Sequence, residues 1–193
     1  MFGKLIGYAK RFARDEDGAF LVEFSITFPV LILLSFGLLE FSLVVFDYQR
    51  AAEATRRGVR LAIIQPPIPN TANLLIDEVI VCTAPGGTVE CTGGSPYDDA
   101  ATPEVEADIL FAALLARMQQ AYPTLTSNNI IITFEGTNVG SAEDIGGVFP
   151  LVTLQLTGVV HEMIVGHLIG IEQIEFPDFK ASVLGNGKWV NTA

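Results

Sequence analysis

The sequence predicts an α+β protein in which a long amino-terminal transmembrane helix precedes a head built from one helix and a small antiparallel sheet. Three observations carry this. From Phe24 to Phe46 the chain has 23 consecutive residues whose only charge is Glu40. At about 1.5 Å per residue they make a helix of roughly 34 Å, enough for a bilayer core that needs about 20 apolar residues. Pro66, Pro67 and Pro69 then stop the helix, because proline lacks the amide a helix interior requires. Beyond them, short β-branched runs bounded by turn residues flank a single stretch of helical periodicity. The expected organisation is a leader over residues 1–18, a transmembrane and stalk helix over 19–64, and an acidic head over 65–193.

In order, the leader carries Lys4, Lys10, Arg11 and Arg14 among Phe2, Leu5, Ile6 and Phe12. Such a segment either lies on an anionic membrane face or forms a flexible basic tail. Pro29 falls about two turns into the span and removes one backbone hydrogen bond, which membrane helices tolerate. Past Phe46 the helix is expected to continue through Asp47–Ala62, with Glu53 and Arg57 as an i,i+4 pair. Gln65, before a proline, is pushed out of helical geometry. The run before residue 47 is too long for a signal-peptide core, and no small-residue cleavage box follows it, so a retained anchor is expected.

The head is expected to open with a strand at Glu78–Thr83, and Cys82 and Cys91 flank a stretch of turn formers. This reads as a hairpin stapled by a disulfide. After a loop over Gly93–Ala101, Thr102 is placed to cap a helix with Pro103 at its first position and Glu104, Glu106 and Asp108 near its positive end. Val105, Ile109, Leu110, Ala113, Leu114 and Met118 give that helix an apolar face, and Tyr122-Pro123 ends it. Asn129–Phe134 reads as a strand, Gly136–Gly147 as a loop, Leu151–Val160 as a strand, and Ile171–Leu184 as the site of a last strand interrupted by Pro177.

Charge is uneven along the chain. Residues 61–193 hold Arg117, Lys180 and Lys188 against fifteen acidic residues, a net charge of −12. A surface this acidic repels phosphate backbones, which excludes nucleic acid as a partner. No cofactor fingerprint, P-loop or nucleophile elbow is present, so no enzyme activity and no cofactor is expected. His161, Glu162 and His167 lack the four-residue histidine spacing of a zinc helix and read as surface or loop residues. Asp98-Asp99 and Glu143-Asp144 read as solvated acidic loops rather than calcium ligands. No metal site is expected.

The positions that carry the functional reading lie at the mouth of the span. If the backbone is cut between Gly18 and Ala19, the new amine lies four residues before Glu23. In a helix these positions share a face, and the carboxylate also suits the helix dipole. A lone carboxylate at a membrane boundary is otherwise expensive. Glu40 has two candidate roles, pairing with a neighbouring subunit or reaching the outer interface.

The pattern of basic leader, Gly18, Val22-Glu23-Phe24, Pro29 and Gly37-Leu38-Leu39-Glu40-Phe41 resembles the TadE-like minor pseudopilins of tight-adherence (Flp/Tad) type IV pili. The acidic Asp15-Glu16-Asp17 before Gly18 departs from that pattern. The resemblance implies a pilin-like head and a cut after Gly18 by a prepilin peptidase. It also implies Glu23 as charge partner of the new terminus, Phe24, Pro29 and Glu40 as helix-motif positions, and a role in pilus assembly. The implied partners are the membrane, the prepilin peptidase, other pilins or pseudopilins and the pilus assembly platform. Four basic residues precede the span and four follow it closely, so charge does not orient it. The resemblance and the cysteine pair place the protein in a bacterial inner membrane with a cytoplasmic amino terminus and a periplasmic head, with incorporation into pili as a further location. The competing expectation is an uncleaved single-pass envelope protein whose acidic head binds a ligand or protein.

Overall fold

The computed structural model describes residues 16–71, 74–97, 106–140 and 148–185. Most of the leader, Asp98-Asp99, Thr102, Pro103, Glu104, Val105 and Glu143-Asp144 lie outside them. The described chain is α+β, as expected. A 47-residue helix α1 (Glu16–Ala62) leads into a head. The head contains β1 (Val79–Thr83), β2 (Glu90–Thr92), helix α2 (Ala107–Gln119), β3 (Ile130–Gly140), β4 (Val148–Leu156), β5 (Val160–Glu162), β6 (Gln173–Glu175) and β7 (Phe179–Leu184). Five strands form an antiparallel sheet in the order β2-β1-β3-β4-β7, while β5 and β6 form a separate two-stranded ribbon. Two compact units can be distinguished. One comprises residues 45–161 and 173–193, the other the chain up to residue 44 together with residues 162–172.

In the larger unit, alternate residues of the central strands turn one face inward. Ile80 and Cys82 on β1, Ile130, Ile132 and Phe134 on β3, and Val152, Leu154 and Leu156 on β4 are all buried, as the period of two in a strand requires. Against them lie Leu110, Phe111, Leu114 and Met118 of α2 and Ala51, Ala54, Thr55, Val59 and Ala62 of α1, spaced as one face of a helix. Gly58 marks the closest approach, since a Cβ there would stand 2.6 Å from Met118 Sδ and 2.7 Å from Leu154 Cδ1. Each large apolar side chain buried here contributes about 1.5–3 kcal/mol.

The helix ends at Ala62, where the prolines demand it, and Ile68 is buried within the proline segment. That segment is held by Asn70 N–H to the Ser95 carbonyl (2.9 Å) and Tyr97 N–H to the Ile68 carbonyl (2.8 Å). The cysteine hairpin is as expected: Cys82 and Cys91 are directly paired across β1 and β2 and joined by a disulfide. Closing so short a loop is worth about 2–3 kcal/mol. The double serine variant is expected to be less stable than the oxidised wild type by about that amount in denaturant unfolding, and to match the wild type once the latter is reduced.

Several boundaries differ from the sequence expectation. Helix α2 begins at Ala107, after Glu106 in an extended conformation, not at Pro103. Ala107 N–H donates to the Tyr97 carbonyl at 3.1 Å, and Asp108, in the first turn, accepts from Val89 N–H at 2.7 Å. Strand β3 runs on to Gly140, because Gly136 N–H still finds the Glu78 carbonyl and Thr137 donates its hydroxyl to the Phe149 carbonyl. The ladder resumes at Gly140 opposite Val148 after an irregularity, so residues 136–140 are strand rather than loop. The expected strand Leu151–Val160 is divided at Gly158, whose φ of +61° ends β4 and starts β5 in the other sheet. Pro177, without an amide for the ladder, interrupts the last segment as expected; what the sequence did not show is that the two parts, β6 and β7, belong to different sheets.

Candidate functional site

The functional element the sequence points to is the amino-terminal part of α1. Between Gly18 and Phe46 its side chains are almost all exposed, including Phe20, Phe24, Leu31, Leu38 and Phe41, and among the described residues it is the one helix long and apolar enough to cross a membrane. Gly18 and Ala19 lie inside the helix and are exposed, with nothing packed where a Gly18 side chain would stand. Glu23 is exposed one turn further on, and Phe24 stacks on Phe28 with ring centroids 5.1 Å apart. The helix passes through Pro29 without a break, leaving the Ser25 carbonyl without its usual donor. The span's serines satisfy themselves: the hydroxyls of Ser25, Ser35 and Ser42 donate to the carbonyls of Leu21, Leu31 and Leu38 at 2.7–2.8 Å. No serine therefore presents an unpaired donor to lipid.

Glu40 is the one charged residue buried on this exposed surface. It is only 6% exposed, although its neighbours Leu38, Leu39 and Phe41 are open. One carboxylate oxygen accepts the backbone N–H groups of Ile164 and Val165, the latter at 2.8 Å, and the other accepts Gly166 N–H at 2.9 Å. These donors come from the loop between β5 and β6, where a short 3-10 turn spans Gly166–Ile169. Successive amides converging on a carboxylate form an anion nest, and the carboxylate supplies the acceptor that the first amides of a helical turn lack. Charge-assisted bonds of this kind offset much of the cost of holding a carboxylate in an apolar segment. The sequence offered a neighbouring subunit or the outer interface for Glu40, and the structure gives it a partner in its own chain. Gly166 is required here, because a Cβ would meet the Ile171 carbonyl oxygen at 2.5 Å and Met163 Cβ at 2.8 Å.

In the larger unit, the first residues of its helical segment carry a second set of contacts. Asp47 Oδ2 lies 2.7 Å from His161 Nδ1. A carboxylate offers only acceptors, so the proton sits on Nδ1. His161 is thus no surface residue: its side chain is 12% exposed and it belongs to β5, whereas His167 is exposed as expected. Tyr48 packs on Phe176 and Phe179, with centroids 5.8 and 4.9 Å away. Arg50 donates to the Ala121 carbonyl at 2.8 Å and lies 5.3 Å from the Phe46 ring centroid. Glu53 and Arg57 form the expected pair, at 2.9 Å. Sequence reasoning missed the partners of Asp47, Tyr48 and Arg50; a cluster of polar and aromatic residues just after an apolar run was the available signal.

Residues 18–60 match the family model of the TadE-like protein. The match includes Gly18, Glu23, Pro29 and Glu40, and it ends before the strands of the head begin. No curated protein and no solved structure matches the chain. Together with the apolar helix, the family match suggests a Tad pilus-associated, single-pass membrane protein.

Proposed function

We propose that this chain is a minor pseudopilin that acts in the assembly of a tight-adherence type IV pilus. The observation that carries the reading is the register of Gly18, Glu23, Pro29 and Glu40 along one exposed apolar helix that matches the TadE-like family. The chain enters the inner membrane with its leader in the cytoplasm and its head in the periplasm. A prepilin peptidase then cuts after Gly18, and the freed amine of Ala19 neutralises Glu23 one turn away. The processed helix packs against other pilins or pseudopilins and the assembly platform. The work is association rather than catalysis, and the acidic head with its disulfide supplies recognition in an oxidising compartment.

Exposure of Gly18 and Ala19 supports access by a peptidase, and the absence of packing at Gly18 means that a bulkier residue there leaves the fold intact. The G18L variant is therefore expected to accumulate with its leader attached while still inserting in the membrane. Mass spectrometry of the amino terminus reads this directly. A wild-type chain that begins at Met1 in cells making functional pili would instead support an uncleaved envelope protein with a ligand-binding head.

A further inference from the structure

The nest around Glu40 fixes in place a loop whose outward surface is apolar. Residues 163–171 contain no Asp, Glu, Lys or Arg, and Glu162 and Glu172 bound them on either side. Ile164 is 80% exposed and Leu168 74% exposed, with Ile171 also open. Exposed side chains of this size on a short loop need a reason.

The backbone supplies a second observation. Met163 N–H donates to the Glu172 carbonyl at 2.9 Å and closes the neck. The next three amides go to Glu40, and those of Leu168, Gly170 and Ile171 go to carbonyls within the loop. A water-facing loop has no need to satisfy its amides internally, whereas one in contact with lipid does. The third observation is position. Glu40 lies 22 residues beyond Gly18, about 33 Å along the helix, which is the thickness of a hydrocarbon core. Within the same unit the nest ties the loop to the helix at Glu40, whose sequence neighbours Leu38, Leu39 and Phe41 are exposed and lipid-suited.

We propose that residues 163–171 form a second membrane contact, an apolar foot that seats Ile164 and Leu168 in the outer interfacial region of the bilayer and is held to the span by Glu40. The occupant of this surface is lipid. The foot sets the depth at which the helix rests, and its flanking glutamates stay in water. This inference rests on the helix crossing the membrane and not on cleavage at Gly18, so it stands or falls separately from the pseudopilin reading.

The test is depth-resolved fluorescence quenching of the full chain in vesicles of phosphatidylcholine and phosphatidylglycerol with brominated acyl chains. The natural Trp189 is replaced by phenylalanine, and L168W or I164W is introduced, with T92W on the exposed β2 strand as a reference. Intact-mass detection of the Cys82–Cys91 disulfide confirms that each variant has folded. Emission from L168W and I164W is expected to fall to about half when bromines lie near the headgroups and less when they lie at the bilayer centre, as interfacial insertion requires; T92W emission stays constant. Emission from both loop variants that ignores bromine at every depth overturns the proposal. So does a response that appears only when a second copy of the chain is added, since the surface would then be a protein contact.

Discussion

Replacing Glu40 by leucine is expected to release residues 162–172 from the helix while leaving membrane insertion unimpaired. Three backbone amides lose their common acceptor, and Gly166 is buried, so water does not simply take the carboxylate's place. Hydrogen bonds to charged groups are worth about 1.5–3 kcal/mol each. Shared by one side chain, they do not add fully, and a loss of about 3 kcal/mol or more is expected from the three together. The amides of Ile164, Val165 and Gly166 should then exchange about a hundredfold faster in the membrane-embedded protein, which hydrogen-exchange mass spectrometry detects. The leucine also removes a charge from the apolar segment, so insertion gains rather than loses. E40Q should fall between, because the amide keeps one acceptor oxygen but turns a donor toward one of the N–H groups. Unchanged exchange in the leucine variant would mean that the nest does not hold the loop.

The second large effect is expected at Gly58. Its missing side chain is what lets α1 lie against Met118 and Leu154, both fully buried. Leucine there adds four carbons to a space already filled, and overpacking of a close-packed core costs about 1–3 kcal/mol or more. We expect the upper end, because Leu154 belongs to β4, an interior strand between β3 and β7, and its backbone cannot retreat without shifting the sheet. Alanine is much milder: its single Cβ meets only the ends of the Met118 and Leu154 side chains, which yield by rotation, and the gain in helix propensity of about 1 kcal/mol opposes the clash. Denaturant unfolding of the head in detergent-solubilised protein should rank wild type and G58A together, well above G58L. Equal stability of all three would show that α1 does not press on α2 and β4 as described.

These two positions differ in how legible they were. The four motif positions in the span stood out because each is a local exception: a glycine before an apolar run, a carboxylate at its mouth, a proline within it, a second carboxylate toward its end. That Glu40 needs a partner follows from electrostatics in a low-dielectric medium. Its donors are backbone amides, which every residue but proline carries, so no side-chain signature identified them. Gly58 was equally silent, since a glycine in a helix shows its purpose only when the neighbours that crowd it are known.

By itself the sequence determined the apolar helix long enough to cross a membrane, its stop at the proline cluster, the stapled hairpin at Cys82 and Cys91, and the α+β class. Each follows from interactions within a few turns or a short loop, where hydropathy, missing amides and cysteine spacing act directly. Tertiary structure alone decided the strand order β2-β1-β3-β4-β7, the division of an expected strand at Gly158, the assignment of β6 and β7 to different sheets, the continuation of β3 to Gly140, and the capture of Glu40 by a loop more than 120 residues away. Those outcomes depend on which distant backbone groups meet. The free energy of such meetings comes from burial and hydrogen bonding available to many segments alike, and only the assembled fold selects among them.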